Sequence, residues 1–228
     1  MRVILFDIDG TLIRGDKAGR MAMAAALEQM FGTRGSLDTY AMGGKTDMRI
    51  ISDVLYEAGI DRQEVYAKLP DFYLLMAEHA HEIYPGRNIT ACPGVETLLA
   101  CLHDNDEVLV GLLTGNAQIT APLKLSAAGI DPRQFVVGAY GSDDLERDNL
   151  PEIALSRIRA VTGQTIMGDD IIIIGDTPAD VQCARAGQAR AVAVASGWHS
   201  ADTLLQYEPD YLFSDLSDTE AVLRVLLN

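Results

Sequence analysis

Short apolar runs alternate with helix-like segments along most of the 228-residue chain. The runs are rich in Val, Ile and Leu without polar alternation, which is typical of strands buried on both faces of a parallel sheet. The predicted strands are residues 3–6, 108–113, 135–137, 171–174, 191–194 and 211–213. The predicted helices that alternate with them are residues 95–103, 117–128, 151–161, 179–186, 201–206 and 218–227. This order predicts an α/β fold with a doubly wound, Rossmann-like parallel sheet.

A long helical stretch interrupts this pattern after the first strand. Residues 7–107 separate the first two predicted strands, whereas a whole strand–helix–strand unit needs roughly 30 residues. The stretch contains three segments with helical spacing, at residues 17–31, 46–57 and 62–82. We therefore expect an inserted all-α cap, residues 14–90, on an α/β core formed by residues 1–13 and 91–228.

The charge balance restricts the classes of partner. Asp and Glu total 33 against 18 Lys and Arg, so the formal net charge is −15 at pH 7. Such a chain repels phosphate backbones and anionic membrane surfaces, and we expect neither nucleic acid nor a membrane as partner. The three cysteines show no short paired spacing typical of a disulfide framework or a zinc site. The N-terminal apolar run is too short for a signal peptide, which predicts a cytoplasmic protein.

Acidic pairs follow two of the predicted strands. Asp7 and Asp9 come after the first strand, where an i, i+2 spacing on extended backbone directs both carboxylates to the same side. Asp176 and Asp180 come after the strand at 171–174. The carboxyl ends of parallel strands share the edge where α/β proteins bind ligands, and carboxylates that converge there suit Mg²⁺. The sequence therefore predicts a magnesium site at this edge.

A third junction offers groups that bind phosphate. Thr114, Gly115 and Asn116 follow the strand at 108–113 and precede a predicted helix. The hydroxyl, the close backbone approach that glycine allows and the positive N-terminal end of the helix together predict a phosphate seat.

The three junctions carry the motifs FDIDGTL at residues 6–12, LLTGN at 112–116 and GDTPAD at 175–180. In this order and at these separations the chain resembles the haloacid dehalogenase superfamily, over nearly its whole length. Within that superfamily it is similar to the phosphoglycolate phosphatase-like hydrolases, which have a helical cap inserted after the first strand. The resemblance implies a Mg²⁺-dependent phosphatase that hydrolyses a small phosphorylated metabolite through an aspartyl-phosphate intermediate.

The resemblance also implies residue roles. Asp7 would be the nucleophile, and Asp9 would protonate the leaving alcohol and then activate water. Thr114 would hold a phosphoryl oxygen. Mg²⁺ would bind Asp7, the backbone carbonyl of Asp9 and Asp176, while Asp180 would support the site.

The remaining substrate contacts are expected from Gly10, Gly115, Asn116 and Lys45. Lys45 belongs to the segment 43–47, Gly-Gly-Lys-Thr-Asp, which ends like a nucleotide-binding P-loop. Position 39 is Thr where that motif requires Gly, and no predicted strand precedes it, so we exclude a P-loop. We expect instead a cap loop in which Lys45 meets a substrate anion; a plain turn before a helix stays an equal alternative.

One family feature is missing. Members of the family usually have a further motif between LLTGN and GDTPAD, in which a lysine precedes a proline. In this chain no lysine lies between Gly141 and Ile166. Arg147, shortly before Pro151, is nearest to that position and would pair with the nucleophile and a phosphoryl oxygen through its planar fork. Arg157 is the alternative.

Four other functions stay open at this stage. The reaction of a haloacid dehalogenase has no leaving-group oxygen to protonate and needs no second aspartate, so the presence of Asp9 argues against this function. A phosphonate hydrolase would need a cap lysine as Schiff-base former, for which Lys45 or Lys17 would be candidates. A phosphosugar mutase shares all the core residues, and the missing lysine leaves room for a catalytically silent binding module. Whether the protein is a monomer or a homodimer is equally open.

Overall fold

The computed structural model describes residues 1–166 and 168–228. In chain order, its strands are β1 (Arg2–Phe6), β2 (Ile13–Arg14), β3 (Thr90–Ala91), β4 (Val108–Thr114), β5 (Val137–Tyr140), β6 (Ile171–Gly175), β7 (Arg190–Val194) and β8 (Tyr211–Phe213). Within the described residues, six of these strands form one parallel sheet in the order β5-β4-β1-β6-β7-β8. The predicted α/β fold with a doubly wound parallel sheet is confirmed.

The helices occupy the positions between the strands that the sequence pattern predicts. In chain order they are α1 (Ala18–Phe31), α2 (Asp47–Glu57), α3 (Arg62–Ile83), α4 (Val95–His103), α5 (Ala121–Ala127), α6 (Leu150–Thr162), α7 (Pro178–Ala186), α8 (Ala201–Leu205) and α9 (Thr219–Leu227). None of the helices that the structure describes is both long enough and apolar enough to cross a membrane.

Alternate residues of the central strand β1 enter two separate apolar clusters. Ile4 and Phe6 belong to the larger cluster, which includes residues of α4, α5 and α9 and of the three helices of the insertion. Val3 and Leu5 belong to the second cluster, on the face covered by α6 and α7. Because both faces of the strand are buried, its sequence shows no polar alternation.

Two predicted elements are shifted. The strand predicted at residues 135–137 lies at β5, because a short 3₁₀ turn at Pro132–Gln134 occupies the chain just before it. Gly138 and Ala139 continue the strand although neither favours one, so the sequence pattern ended too early. The helix predicted at 117–128 begins only at Ala121, where Pro122 stands in the first turn.

The insertion begins and ends at a short strand pair that the sequence pattern missed. Strands β2 and β3 pair antiparallel, with Ile13 opposite Ala91, beside the two predicted boundaries of the cap. Two-residue strands are too short to show any periodicity, which is why the stretch gave no strand signal. Helices α1, α2 and α3 lie between them along the chain, and α1 and α2 each pack against α3.

Gly94 and Gly129 form a matched pair of positions that tests the close contact between Gly94 and Leu216. Gly94 and Gly129 have nearly the same left-handed backbone, with φ of 82° and 81°. A Cβ at Gly94 would overlap the carbonyl of Leu216, whereas a Cβ at Gly129 meets no atom within 4 Å. Gly129→Ala should cost about 1 kcal/mol of unfolding free energy from backbone strain, and Gly94→Ala about 2 kcal/mol more from the overlap. Urea unfolding measures both, and equal losses would contradict the packing described here.

Candidate active site

Three neighbouring strands bring the predicted site residues to one edge of the sheet. Asp7 follows β1, Thr114 ends β4 and Asp176 follows β6. Strand β1 lies between β4 and β6, and all three run parallel, so their carboxyl ends meet. This is the edge at which open α/β sheets bind ligands.

Asp7 is buried beside a cation. The residue is 5% exposed, and Arg147 Nη2 donates a hydrogen bond to Oδ1 at 3.1 Å. Burial raises the pKa of Asp7 to about 7; Arg147 opposes this rise, and the charges of Asp180 and Asp9 add to it. A carboxylate with few hydrogen-bond partners in a buried site is poorly solvated, which favours its use as a nucleophile.

Arg147, the residue expected in place of the family lysine, is in contact with Asp7. The same Nη2 also donates to Asp180 Oδ1, so one guanidinium joins the two carboxylates. Burial lowers the pKa of Arg147, but the charges of Asp180 and Asp7 outweigh it and hold the pKa above its ordinary value. The alternative, Arg157, bonds to Asp143 and the carbonyl of Gly138 instead.

Asp180 also accepts two hydrogen bonds from Thr177. Its Oδ2 accepts hydrogen bonds from the backbone N–H of Thr177 at 2.9 Å and from Thr177 Oγ1 at 2.7 Å. The Thr177 hydroxyl in turn accepts from the Asp180 N–H, which completes a capping box at the start of α7. Asp180 therefore fixes both the helix start and the position of Arg147.

Asp176 is the least satisfied acid of the site. It is 1% exposed, and among residues 1–166 and 168–228 neither of its carboxylate oxygens has a hydrogen-bond partner. Burial raises the pKa of Asp176 to about 8, and the charges of Asp180, Asp7 and Asp9 contribute to the rise. A Cβ at Gly10 or at Gly197 would overlap Asp176 Oδ2, so these two glycines make the room that the carboxylate occupies.

These acids form a candidate cation site. Carboxylate oxygens of Asp7, Asp176 and Asp180 lie within 4.8 Å of one another. In the part of the chain that the structure describes, Arg147 is the cationic side chain in hydrogen-bond contact with them. Buried oxygen donors with an unpaired carboxylate among them fit a divalent cation such as Mg²⁺, which would supply the missing positive charge.

Asp9 has different partners from Asp7 although the two are neighbours in sequence. Its Oδ2 accepts hydrogen bonds from Lys124 Nζ at 2.6 Å and from Asn116 Nδ2 at 2.8 Å. The Asp9 side chain is 44% exposed, whereas the Lys124 side chain is 8% exposed. The sequence predictions do not include Lys124; the available signal was a lone cation between apolar neighbours of a predicted helix.

The Asn116 side-chain amide that contacts Asp9 also contacts Thr114. Thr114 Oγ1 is fully buried and accepts from Asn116 Nδ2 at 2.9 Å and from the Asn116 N–H at 3.3 Å. Because the hydroxyl accepts in both bonds, its own proton is left to donate. The predicted helix N-terminus is not at this point: residues 117–120 separate Asn116 from α5.

The insertion reaches the site through the start of α2. The N–H of Asp47 donates to the carbonyl of Gly115 at 2.7 Å, and its Oδ2 accepts from the N–H of Ala117 at 2.7 Å. Burial raises the pKa of Asp47 to about 6, against the effects of Lys124 and the Ala117 N–H. Asp47 was also missed from sequence, where an acid after Gly-Gly-Lys-Thr signalled only a helix start.

Two of the predicted substrate residues have other contacts. The ammonium of Lys45 lies 3.9 Å from the centre of the Tyr40 ring, a cation–π contact within the insertion. The N–H of Gly10 donates to the carbonyl of Ile13 at 2.8 Å. A substrate contact from Lys45 therefore stays a prediction, and Gly10 contributes space for Asp176 rather than a free donor.

Known proteins resemble this chain over nearly its whole length. A curated pyrophosphatase, PpaX of Listeria innocua, is 24% identical over 230 aligned residues, covering 97% of this chain and 95% of the relative. A phosphoglycolate phosphatase of Nitrosococcus oceani is 25% identical, covering 97% and 96%. The crystal structure of a hydrolase from Pseudomonas syringae superposes with a TM-score of 0.71 at 20% identity, covering 99% of each chain.

The family model of haloacid dehalogenase-like hydrolases matches residues 1–188. That match contains the acidic pairs, Thr114 and Arg147, together with the inserted helices. The resemblance predicted from the three motifs is confirmed, and the chain belongs to the haloacid dehalogenase-like hydrolases.

Proposed function

We propose that the protein is a Mg²⁺-dependent phosphatase that hydrolyses a small phosphate monoester through an aspartyl-phosphate on Asp7. The observation that carries the proposal is the pairing of a buried Asp7 with Arg147 beside the unpaired carboxylate of Asp176. A phosphate ester brings negative charge, which this site tolerates only with further positive charge. The phosphoglycolate phosphatase and pyrophosphatase names of the relatives support phosphoryl chemistry.

The first half-reaction transfers the phosphoryl group to the enzyme. An oxygen of Asp7 attacks phosphorus while the bond from phosphorus to the leaving oxygen breaks. Asp9 gives its proton to that oxygen, so the product leaves as an alcohol. Arg147 and the Thr114 hydroxyl hold phosphoryl oxygens whose charge grows in the transition state.

The second half-reaction returns the enzyme to its starting state. Asp9, now ionised, takes a proton from a water molecule, whose oxygen attacks phosphorus. The acyl-phosphate bond breaks, inorganic phosphate leaves and Asp7 is a carboxylate again. Asp9 is suited to this exchange because it is the partly exposed acid of the pair, whereas Asp7 is buried.

Asp7, Asp176 and the backbone carbonyl of Asp9 would hold Mg²⁺. When bound, the ion screens the repulsion between the Asp7 carboxylate and the phosphate and stabilises the transition-state charge. Asp180 keeps its carboxylate on Arg147 and Thr177 and so supports the site.

Residues 14–90 act in this proposal as a cap on the core of residues 1–13 and 91–228. The start of α2 contacts the loops after β4 and β5, through Asp47 to Gly115 and Ala117 and through Met48 to Gly141. With these contacts made, the cap covers the loop next to Thr114 and limits access of bulk water. Because the cap lies this close to the loops of the core, we expect the substrate to be small.

Phosphate release tests the function. We expect p-nitrophenyl phosphate and a panel that includes phosphoglycolate and inorganic pyrophosphate to be hydrolysed with Mg²⁺ and not with a chelator. Asp7→Asn should reduce turnover by at least about 10⁴-fold, because the nucleophile is lost, while circular dichroism shows an unchanged fold. Normal activity of that variant would contradict the mechanism. An isomerised phosphosugar without phosphate release would support a mutase, and no turnover would support a silent module.

Arg147 and Arg157 allow a matched comparison. Arg147→Ala removes the cation from Asp7 and should lower kcat/KM by about 100-fold, or ~2.7 kcal/mol. Arg157→Ala removes a contact with Asp143 and should change kcat/KM by less than about threefold. A loss below tenfold for Arg147→Ala would show that another residue fills the basic role.

A further inference from the structure

We propose that Lys124 is a positioning residue for Asp9: its ammonium fixes the orientation of the carboxylate that exchanges protons with the leaving group and with water. The inference rests on the proposed function, since it assigns a part in the same reaction. Lys124 does not belong to the motifs FDIDGTL, LLTGN or GDTPAD.

The contacts of Asp9 are confined to one of its oxygens. Lys124 Nζ donates to Oδ2 at 2.6 Å, and Asn116 Nδ2 donates to the same Oδ2 at 2.8 Å. Across residues 1–166 and 168–228, no hydrogen bond reaches Oδ1. Two donors on one oxygen fix the plane of the carboxylate and leave Oδ1 to carry the transferable proton. A Cβ at Gly15 would lie 2.9 Å from Oδ1, so the glycine keeps that side open.

Lys124 also sets the orientation of Asn116. Its Nζ donates to Asn116 Oδ1, which leaves Asn116 Nδ2 directed at both Asp9 and Thr114 Oγ1. With the amide reversed, its oxygen would meet the Asp9 carboxylate and an attractive contact would be lost. One ammonium therefore holds Asp9 both directly and through the orientation of Asn116.

The Lys124 ammonium is buried, and a glycine lies next to it. Lys124 is 6% exposed, and a buried ammonium is poorly solvated, whereas an apolar side chain of similar length would pack there without that penalty. Facing it in α1 is Gly19, where a Cβ would come within 2.7 Å of Nζ. Gly19 is the second residue of α1, and the absence of a side chain there leaves the space that the ammonium occupies. Tyr84 and Asp47 also face the ammonium.

Leaving-group dependence separates positioning from a purely structural role. Lys124→Met should lower kcat for an alkyl phosphate by about 10- to 100-fold, because an alkoxide cannot leave without a well-placed acid. It should lower kcat for p-nitrophenyl phosphate by less than about threefold, since that leaving group needs little proton transfer. Lys68→Met is the matched control: this exposed lysine pairs with Glu64 on the same helix and lies over the Phe31 ring, and its loss should change neither rate.

A double-mutant cycle shows whether Lys124 acts through Asp9. In an Asp9→Asn background the acid is absent, so adding Lys124→Met should cause no further loss for the alkyl phosphate. Lys124→Gln, which keeps a donor, should show the same substrate split with a smaller loss. If circular dichroism shows that Lys124→Met is unfolded, Lys124→Gln replaces it in the test.

The outcomes for the two proposals differ. Equal losses on both substrates, or a full additional loss in the Asp9→Asn background, would overturn the positioning role while phosphatase activity of the unmodified protein stands. Absence of phosphate release by the unmodified protein would overturn the proposed function, and this inference with it. A substrate split that disappears in the Asp9→Asn background supports both.

Discussion

The organisation of the site follows from an excess of buried negative charge. Asp7, Asp176 and Asp180 bring carboxylate oxygens within 4.8 Å of one another, and within the described residues the guanidinium of Arg147 is their one cationic hydrogen-bond partner. Folding opposes such a cluster, because burial and mutual repulsion both disfavour ionised carboxylates. The parallel sheet enforces it nonetheless: β1 and β6 are adjacent and apolar on both faces, so the acids that follow them are carried to one buried edge.

The two acids of the first motif contact different cations. Arg147 contacts Asp7, which is buried, whereas Lys124 contacts Asp9, which is 44% exposed on its side chain. A buried carboxylate is suited to attack phosphorus, and a partly exposed one can exchange protons with an alcohol or with water. Asn116 joins the second pair to Thr114, so Lys124, Asp9 and the Thr114 hydroxyl belong to one hydrogen-bond network at the strand ends.

The fold and the acids were predictable from sequence because they depend on local pattern. Apolar runs without alternation indicate buried parallel strands, and acids directly after such runs must meet at one sheet edge. Lys124 and Asp47 were missed because their partners are distant: Lys124 lies 115 positions from Asp9, and Asp47 lies 70 positions from Ala117. From helical spacing alone, Lys124 is an isolated cation between two leucines. Only the fold, which brings its ammonium to Asp9 and close to Gly19 of α1, shows what it contacts.

Thermal unfolding of the protein and of Asp176→Asn, each with a chelator and with Mg²⁺, is the sharpest test of the charge imbalance. With a chelator, Asp176→Asn should unfold at a higher temperature, because the substitution removes the cost of burying an acid that ionises in the unfolded chain and has no hydrogen-bond partner in the described part of the fold. Mg²⁺ at about 100 times its Kd should raise the Tm of the unmodified protein by about 5–10 °C and leave the variant nearly unchanged. Equal Tm values with the chelator, together with equal responses to Mg²⁺, would contradict a cation site at Asp176.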